Sequence, residues 1–181
     1  MNDAVELIRD AVGRGDSTGV WADLGAGTGT FTRALARILD AGSTIYAVDD
    51  DSSAVAALRA WAARTTARII AVKADFTQPL QLPAPGPHGA LLDGILLANA
   101  LHFVRDAESV LKQLTQRVRA GGRIVVVEYD RRAPSRWVPY PIHASQWPRL
   151  AASVGLEDAA VTATRPSAYS GVLYAGVARR R

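Results

Sequence analysis

A glycine-rich turn near the N-terminus constrains the fold of this chain more than any other stretch of its sequence. Residues 20–24 are apolar except for Asp23, glycine then occupies positions 25, 27 and 29, and apolar residues follow at helical spacing. This order predicts a buried strand, a tight turn and a helix. Glycine at alternate positions allows backbone angles that other residues avoid, and it leaves bare backbone against which a ligand can lie. The helix would direct unpaired N–H groups towards that ligand.

Two classes of nucleotide-binding turn use glycine in this way. Dinucleotide-binding enzymes have the spacing Gly-x-Gly-x-x-Gly, whereas this chain has Gly25-x-Gly27-x-Gly29, with Asp23 two residues before the first glycine. The pattern resembles the first motif of the class I S-adenosylmethionine (SAM)-dependent methyltransferases. For the motif taken alone, a crowded strand-to-helix turn without a ligand is the alternative.

Acidic residues follow the next two predicted strands, and Asp23, Asp49 and Asp75 are spaced at intervals of 26 residues. The carboxyl ends of parallel strands meet at one edge of a sheet, where open α/β folds bind ligands. The resemblance implies that Asp49, with its neighbour Asp50, binds the ribose of SAM. It also implies that Asp75 and Phe76 bind the adenine. Taken alone, Asp49 suits the ribose of NAD equally well, and Asp75 could cap a surface turn.

The fourth predicted strand, at 91–98, supplies the next candidate residues at its end. The resemblance implies that Ala98 and Asn99 line the sulfonium side of SAM. It places Ala26 and the three glycines of the turn at the amino-acid end of SAM. Asp23 would brace the turn and face the ammonium group.

His102 is the candidate for a catalytic general base, because an imidazole titrates near neutral pH. Its alternative role is packing, since Leu101 and Phe103 flank it. Glu128 and Tyr129, at the end of the fifth predicted strand, are expected to emerge at the same edge. The chain lacks the acidic pair that binds magnesium in catechol-type enzymes, so we expect no metal.

The C-terminal half completes the predicted fold. After a helix at 106–118, ended by glycines at 121–122, a valine-rich run at 123–129 predicts a parallel strand buried on both faces. Strands at 156–164 and 169–178 then resemble the antiparallel hairpin that ends the class I fold. The resemblance implies an α/β fold class: a Rossmann-like, doubly wound sheet of seven strands in the order 3-2-1-4-5-7-6, with an antiparallel last strand. Residues 1–181 would form a single SAM-dependent methyltransferase domain.

Two proline-containing segments are predicted to be loops. The first, at 78–89, includes His88, whose side chain should be exposed to solvent. The second, at 130–143, combines three arginines with aromatic residues. The resemblance implies that this second segment covers the substrate side of the pocket, and simple packing is its alternative.

The charge and the cysteine content limit the possible partners and locations. The net charge of +4 comes almost entirely from arginine, which allows a nucleic-acid surface. We favour a compositional bias instead, because no aromatic residues interleave with the three terminal arginines.

The absence of cysteine excludes disulfides and is compatible with the cytoplasm. No run reaches the roughly 18 apolar residues of a membrane span, and the start lacks the basic residues of a signal peptide. We therefore expect a cytoplasmic protein.

The sequence as a whole predicts an enzyme that uses SAM as its cofactor and most plausibly methylates a small molecule. The short stretch before the glycine turn predicts an open pocket, or one that a partner closes. Three alternatives stay open: a methyltransferase acting on RNA or protein, an NAD-binding oxidoreductase, and a non-catalytic subunit with the same fold. The acceptor and the oligomeric state cannot be read from the sequence.

Overall fold

The computed structural model describes residues 2–13, 18–83, 91–168 and 171–181. Two predictions, the exposed position of His88 and the start of a strand at 169, lie outside these ranges. The helices are α1 (Asn2–Val12), α2 (Thr30–Ile38), α3 (Ser52–Ala62), α4 (Ala107–Thr115) and α5 (Trp147–Ser153). The strands are β1 (Val20–Leu24), β2 (Thr44–Asp49), β3 (Arg68–Lys73), β4 (Leu92–Ala98), β5 (Val118–Asp130), β6 (Leu156–Pro166) and β7 (Val172–Arg180). Single 3-10 turns precede α4 and α5, at Leu101–Phe103 and Ala144–Gln146.

All seven strands form one sheet in the order β3-β2-β1-β4-β5-β7-β6. β1 to β5 pair in parallel, and β7 lies antiparallel between β5 and β6. This arrangement confirms the predicted fold class. The carboxyl ends of β1, β2, β3 and β4 consequently meet at one edge of the sheet.

Helices cover both faces of the sheet, and neighbouring residues of β4 show the division. Leu96 belongs to the same buried apolar cluster as Ile8 of α1, on the face that α2 also covers. The next residue, Leu97, belongs to a second cluster with Leu111 of α4 and Trp147 of α5. Because successive side chains of a strand point to opposite faces, the sheet is buried on both sides and rigidly supports the edge where its strands end.

The boundary between α4 and β5 differs from the prediction. The helix ends at Thr115, and Val118 pairs with Leu92 as the first residue of β5. The glycine pair at 121–122 therefore lies inside a strand and does not end the helix. A side chain at Gly122 would come within 2.9 Å of the backbone oxygen of Asp93, so glycine is needed there for the close approach of two strands.

Within the part of the chain that the structure describes, no helix has both the length and the apolar character needed to cross a membrane.

Candidate active site

The turn between β1 and α2 is held in place by backbone hydrogen bonds from β2. The N–H groups of Gly25 and Ala26 both donate to the carbonyl of Val48, at 2.9 Å each. The N–H of Gly27 donates to Oδ2 of Asp49, at 2.7 Å. The last residue of β2 thus fixes the shape of the glycine turn and also lies beside the space above it.

The three glycines differ in their surroundings. Their φ angles are 72°, 52° and 90° at positions 25, 27 and 29, in the left-handed region that favours glycine. A Cβ at Gly25 would lie 2.7 Å from Cβ of Ala100, and one at Gly29 would lie 2.6 Å from Cδ2 of Leu58. A Cβ at Gly27 would have no atom of the described residues within 4 Å, its two chain neighbours excepted. Gly25 and Gly29 therefore allow close packing, whereas Gly27 borders open space.

A cavity of about 320 Å³ lies beside the turn, and several of the predicted residues line it. Its volume falls within the range of small-molecule sites, roughly 300–1,000 Å³. The predicted residues in its lining are Gly25, Asp49, Asp50, Asp75, Phe76 and Asn99. The other predicted residues, Asp23, Ala26, Gly27, Gly29, Ala98 and His102, are not part of that lining. Thr77, Ala100, Phe103 and Val104 also line it, and the sequence reasoning did not identify them.

The two acidic residues in the cavity lining also accept local hydrogen bonds. Oδ1 of Asp49 accepts from the N–H of Asp51, at 2.9 Å. Oδ1 of Asp75 accepts from the N–H of Thr77 at 2.8 Å and from its hydroxyl at 2.7 Å. Asp75 thus caps a turn, which was its alternative role, and also faces the cavity. Its Oδ2 has no hydrogen-bond donor among the described residues, so it can accept one from a ligand.

Asp23 lies beneath the turn and is 1% exposed. Its Oδ2 accepts from the hydroxyl of Thr32 at 2.6 Å, so Asp23 links the end of β1 to the start of α2. Its Oδ1 is buried without a hydrogen-bond partner in the described ranges. Burial raises the pKa of Asp23 to about 7; the hydroxyl of Thr32 opposes this change and the charge of Asp49 adds to it. The carboxyl group therefore changes its charge near neutral pH.

Asn99 follows β4 in an unusual backbone conformation. Its φ is 53°, an angle that asparagine adopts more readily than most residues. Its N–H donates to the carbonyl of Val127 at 2.8 Å. Its Oδ1 is buried without a partner among the described residues. Ala98, just before it, is buried and 8% exposed. Asn99 thus presents a polar oxygen at this strand end that has no partner among the described residues.

Glu128 is fully buried, which corrects the expectation that it would emerge at the ligand edge. Its Oε1 accepts from the N–H groups of Leu101 and His102 at 3.0 and 3.1 Å. Its Oε2 lies 2.5 Å from Nδ1 of His102. The 3-10 turn after β4 folds over the end of β5 and covers the carboxylate, whereas the next residue, Tyr129, stays partly exposed.

His102 is 2% exposed and lines neither the cavity beside the glycine turn nor the other cavities described. Its ring packs against Phe103, with 4.4 Å between ring centroids. These contacts favour packing and positioning of the turn at 101–103 as the role of His102. Direct contact with a reacting group remains a prediction.

Replacing Glu128 with glutamine is expected to lower the free energy of unfolding by about 1–2 kcal/mol, because neutral hydrogen bonds replace charge-assisted ones. Urea denaturation measures the change. Glu108→Gln, at an exposed position on α4, is the control and should change stability by less than about 0.5 kcal/mol. Equal stabilities for both variants would contradict the role of Glu128 in holding the turn.

The segment at 130–143 packs against the turn after β4. The N–H of Tyr140 donates to the carbonyl of His102 at 2.9 Å, and Val138 is buried. Trp137, in contrast, is 63% exposed. None of the segment's residues lines the cavity beside the glycine turn, so its predicted role as a substrate cover stays a prediction.

No three His, Asp or Glu side chains within the described ranges lie close enough together to share a metal ion.

A sequence model of the methyltransferase domain matches residues 22–124 of this chain, more than half of its length. The match runs from β1 into β5 and includes the glycine turn, all three strand-end acids, Asn99 and His102. No curated protein sequence gives a significant match.

Solved structures with the same fold cover nearly the whole chain. The YcgJ protein from Bacillus subtilis is 12% identical, with a TM-score of 0.73 and 100% of both chains covered. A SAM-dependent methyltransferase from Aquifex aeolicus is 14% identical, with a TM-score of 0.72 over 96% of this chain and 88% of its own. The 1,6-didemethyltoxoflavin-N1-methyltransferase from Burkholderia thailandensis is 19% identical, with a TM-score of 0.72 over 98% of this chain and 76% of its own. It was solved with 1,6-didemethyltoxoflavin and S-adenosylhomocysteine bound. At these identities the similarity establishes the fold.

Proposed function

The chain belongs to the methyltransferase domain family, and from that premise we propose that it transfers the methyl group of SAM to a small-molecule acceptor. The observation that carries the proposal is that Asp49 and Asp75 line one cavity next to the open space above Gly27. SAM, when bound, supplies a methyl group on a positively charged sulfur; the acceptor's lone pair forms the new bond, the sulfur becomes a neutral thioether, and the acceptor releases a proton.

The residues around the cavity fit such a cofactor. In the proposal, Asp49 accepts hydrogen bonds from the ribose hydroxyls, with the exposed Asp50 next to it; both residues line the cavity. The unpaired Oδ2 of Asp75 suits the exocyclic amine of adenine, and the partly buried ring of Phe76 offers an apolar surface beside it. The space above Gly27 suits the amino-acid end.

Methyl transfer depends mainly on positioning, because the sulfonium already activates the methyl group. In the proposal, Asn99 lies on the sulfonium side, with Ala98 behind it. The backbone of Gly25, Ala26 and Gly29 shapes the turn, and Asp23 braces it from below. If the acceptor must lose a proton early, His102 is the candidate base in this proposal, although it does not line the cavity. Its Nδ1 contacts Glu128, so Nε2 would take the proton.

Two features count against an NAD-binding oxidoreductase: the alternate spacing of the glycines and the antiparallel position of β7. Equilibrium dialysis against SAM and NAD separates the two functions. We expect SAM to be retained and NAD to be ignored. Retention of NAD alone would contradict the proposal.

A small-molecule acceptor is supported by the Burkholderia thailandensis enzyme of the same fold, which was solved with 1,6-didemethyltoxoflavin bound. The test is transfer of tritiated methyl groups from SAM into fractionated cell extract. We expect the label in the metabolite fraction. Label in RNA or protein would contradict the small-molecule acceptor, and SAM binding with no transfer to any fraction would indicate a non-catalytic subunit.

Replacing Asp49 with asparagine is expected to weaken S-adenosylhomocysteine binding by about ten- to a hundredfold, because charge-assisted hydrogen bonds to the ribose are lost. Isothermal titration calorimetry gives the dissociation constant. Asp40→Asn, at an exposed position after α2 that does not line the cavity, is the control and should change the dissociation constant by about threefold or less. Equal losses for the two variants would argue against Asp49 as the ribose ligand.

A further inference from the structure

A second cavity, of about 290 Å³, has Asn99 in its lining. Asn99 lines both cavities. The walls of the second cavity come from α1, the start of α2, the end of β5 and the β6–β7 hairpin, and they include Leu7, Phe31, Tyr129 and Leu173. Because the two linings share Asn99, a compound in this cavity would lie next to a nucleoside in the first cavity.

The walls of the second cavity are mostly apolar, and its size limits what can enter. Each molecule in liquid water takes up about 30 Å³. The cavity volume therefore corresponds to roughly ten water molecules, or to a compound with one or two rings. The buried, unpaired Oδ1 of Asn99 can accept a hydrogen bond from an N–H or O–H group of that compound.

Among the described residues, the lining of this cavity includes one guanidinium group, that of Arg165, and one carboxylate, that of Asp3. Arg165 lines the cavity and pairs with Asp3, at 2.9 Å between Nη2 and Oδ2. The side chain of Asp3 is 72% exposed, and ion pairs this exposed contribute little to stability. The guanidinium of Arg132 stacks on the ring of Tyr129 at 4.5 Å. An anionic group on a ligand can thus replace Asp3 at little cost and form a bidentate pair with Arg165.

We infer that this second cavity binds the methyl acceptor, and that the acceptor is a one- or two-ring apolar compound with a carboxylate or similar anionic group held by Arg165. The inference rests on the proposed function. The amino-acid end of SAM also carries a carboxylate, so the experiment must separate that source from the acceptor.

The test uses the full chain saturated with S-adenosylhomocysteine and titrated with salicylate and cinnamate, each compared with its neutral amide. We expect both carboxylates to bind more tightly than their amides. Arg165→Gln should weaken carboxylate binding by about tenfold or more, the effect of one charge-assisted contact, and should leave the amides and S-adenosylhomocysteine unaffected. Arg64→Gln, at an exposed position after α3, is the control and should change nothing.

A second variant tests the location of binding. Ala168 is an exposed residue in the lining of the cavity, so Ala168→Trp should block carboxylates and amides alike without affecting S-adenosylhomocysteine. The inference is overturned if neither carboxylate binds, if Arg165→Gln binds both as the wild type does, or if Ala168→Trp changes nothing. A loss of S-adenosylhomocysteine affinity in Arg165→Gln would also overturn it, by assigning Arg165 to the cofactor. No binding of S-adenosylhomocysteine to the wild type would instead contradict the proposed function itself.

Discussion

Replacing Gly27 with asparagine is expected to weaken S-adenosylhomocysteine binding about a hundredfold, or ~2.7 kcal/mol, while the protein stays folded. Asparagine tolerates left-handed backbone angles better than other non-glycine residues, and the φ of Gly27 is 52°. Apart from Gly27 and its two chain neighbours, no atom of the described residues lies within 4 Å of the position of an added Cβ. The new side chain would therefore meet no protein atom near its base and would occupy the space proposed for the amino-acid end of the cofactor.

Gly155 provides a matched control for this variant. It has a φ of 80° and, like Gly27, no atom within 4 Å of an added Cβ, but it follows α5 and lines none of the described cavities. Gly155→Asn should cost a similar amount of stability and leave the dissociation constant unchanged in calorimetry. If Gly27→Asn binds S-adenosylhomocysteine as tightly as Gly155→Asn does, the cofactor does not lie above the turn.

Replacing Asp23 with asparagine is expected to change how stability depends on pH. The pKa of Asp23 is about 7 in the folded protein and about 3.9 in an unfolded chain, a difference worth about 4 kcal/mol. Because the folded state holds the proton more tightly, the stabilisation from this group is fully present below about pH 4 and is lost as the pH rises to about 7. Above that pH the buried carboxylate is charged in both states, and its contribution stays constant.

Urea denaturation of the wild type and Asp23→Asn, from acid to mildly alkaline pH, measures this effect. The variant should gain stability relative to the wild type by up to about 1.4 kcal/mol per pH unit over that interval. For Asp40→Asn, at an exposed position after α2, the free energy of unfolding should change with pH in the same way as for the wild type. A constant difference between Asp23→Asn and the wild type across the whole range would show that the buried carboxyl does not titrate as described.

The positions of the strand-end acids could be predicted because they follow from short local patterns, whereas the sheet order came from the family resemblance that those patterns carry. The glycine turn identifies one strand end, and the recurrence of acids after apolar runs identifies the next two. The boundary of α4 could not be predicted in this way, because Val118 fits an apolar helix face as well as a strand. Only its pairing with Leu92 decides between the two.

The contacts around the site were predictable only in part. Glu128 has the position of a residue at the ligand edge, and its burial depends on a 3-10 turn from a distant part of the chain. Phe103 and Thr77 carry no motif, yet both line the cavity beside the glycine turn. Arg165 lies more than 60 residues from Asn99 in the sequence, so only the folded hairpin brings it to the second cavity.

A crystal structure of the chain grown with S-adenosylhomocysteine tests the central claim most directly. We expect the adenine beside Phe76 and Asp75, the ribose hydroxyls on the carboxylate of Asp49, and the sulfur facing Asn99. A nucleoside bound elsewhere on the surface, or bound with the ribose away from Asp49, would contradict the account.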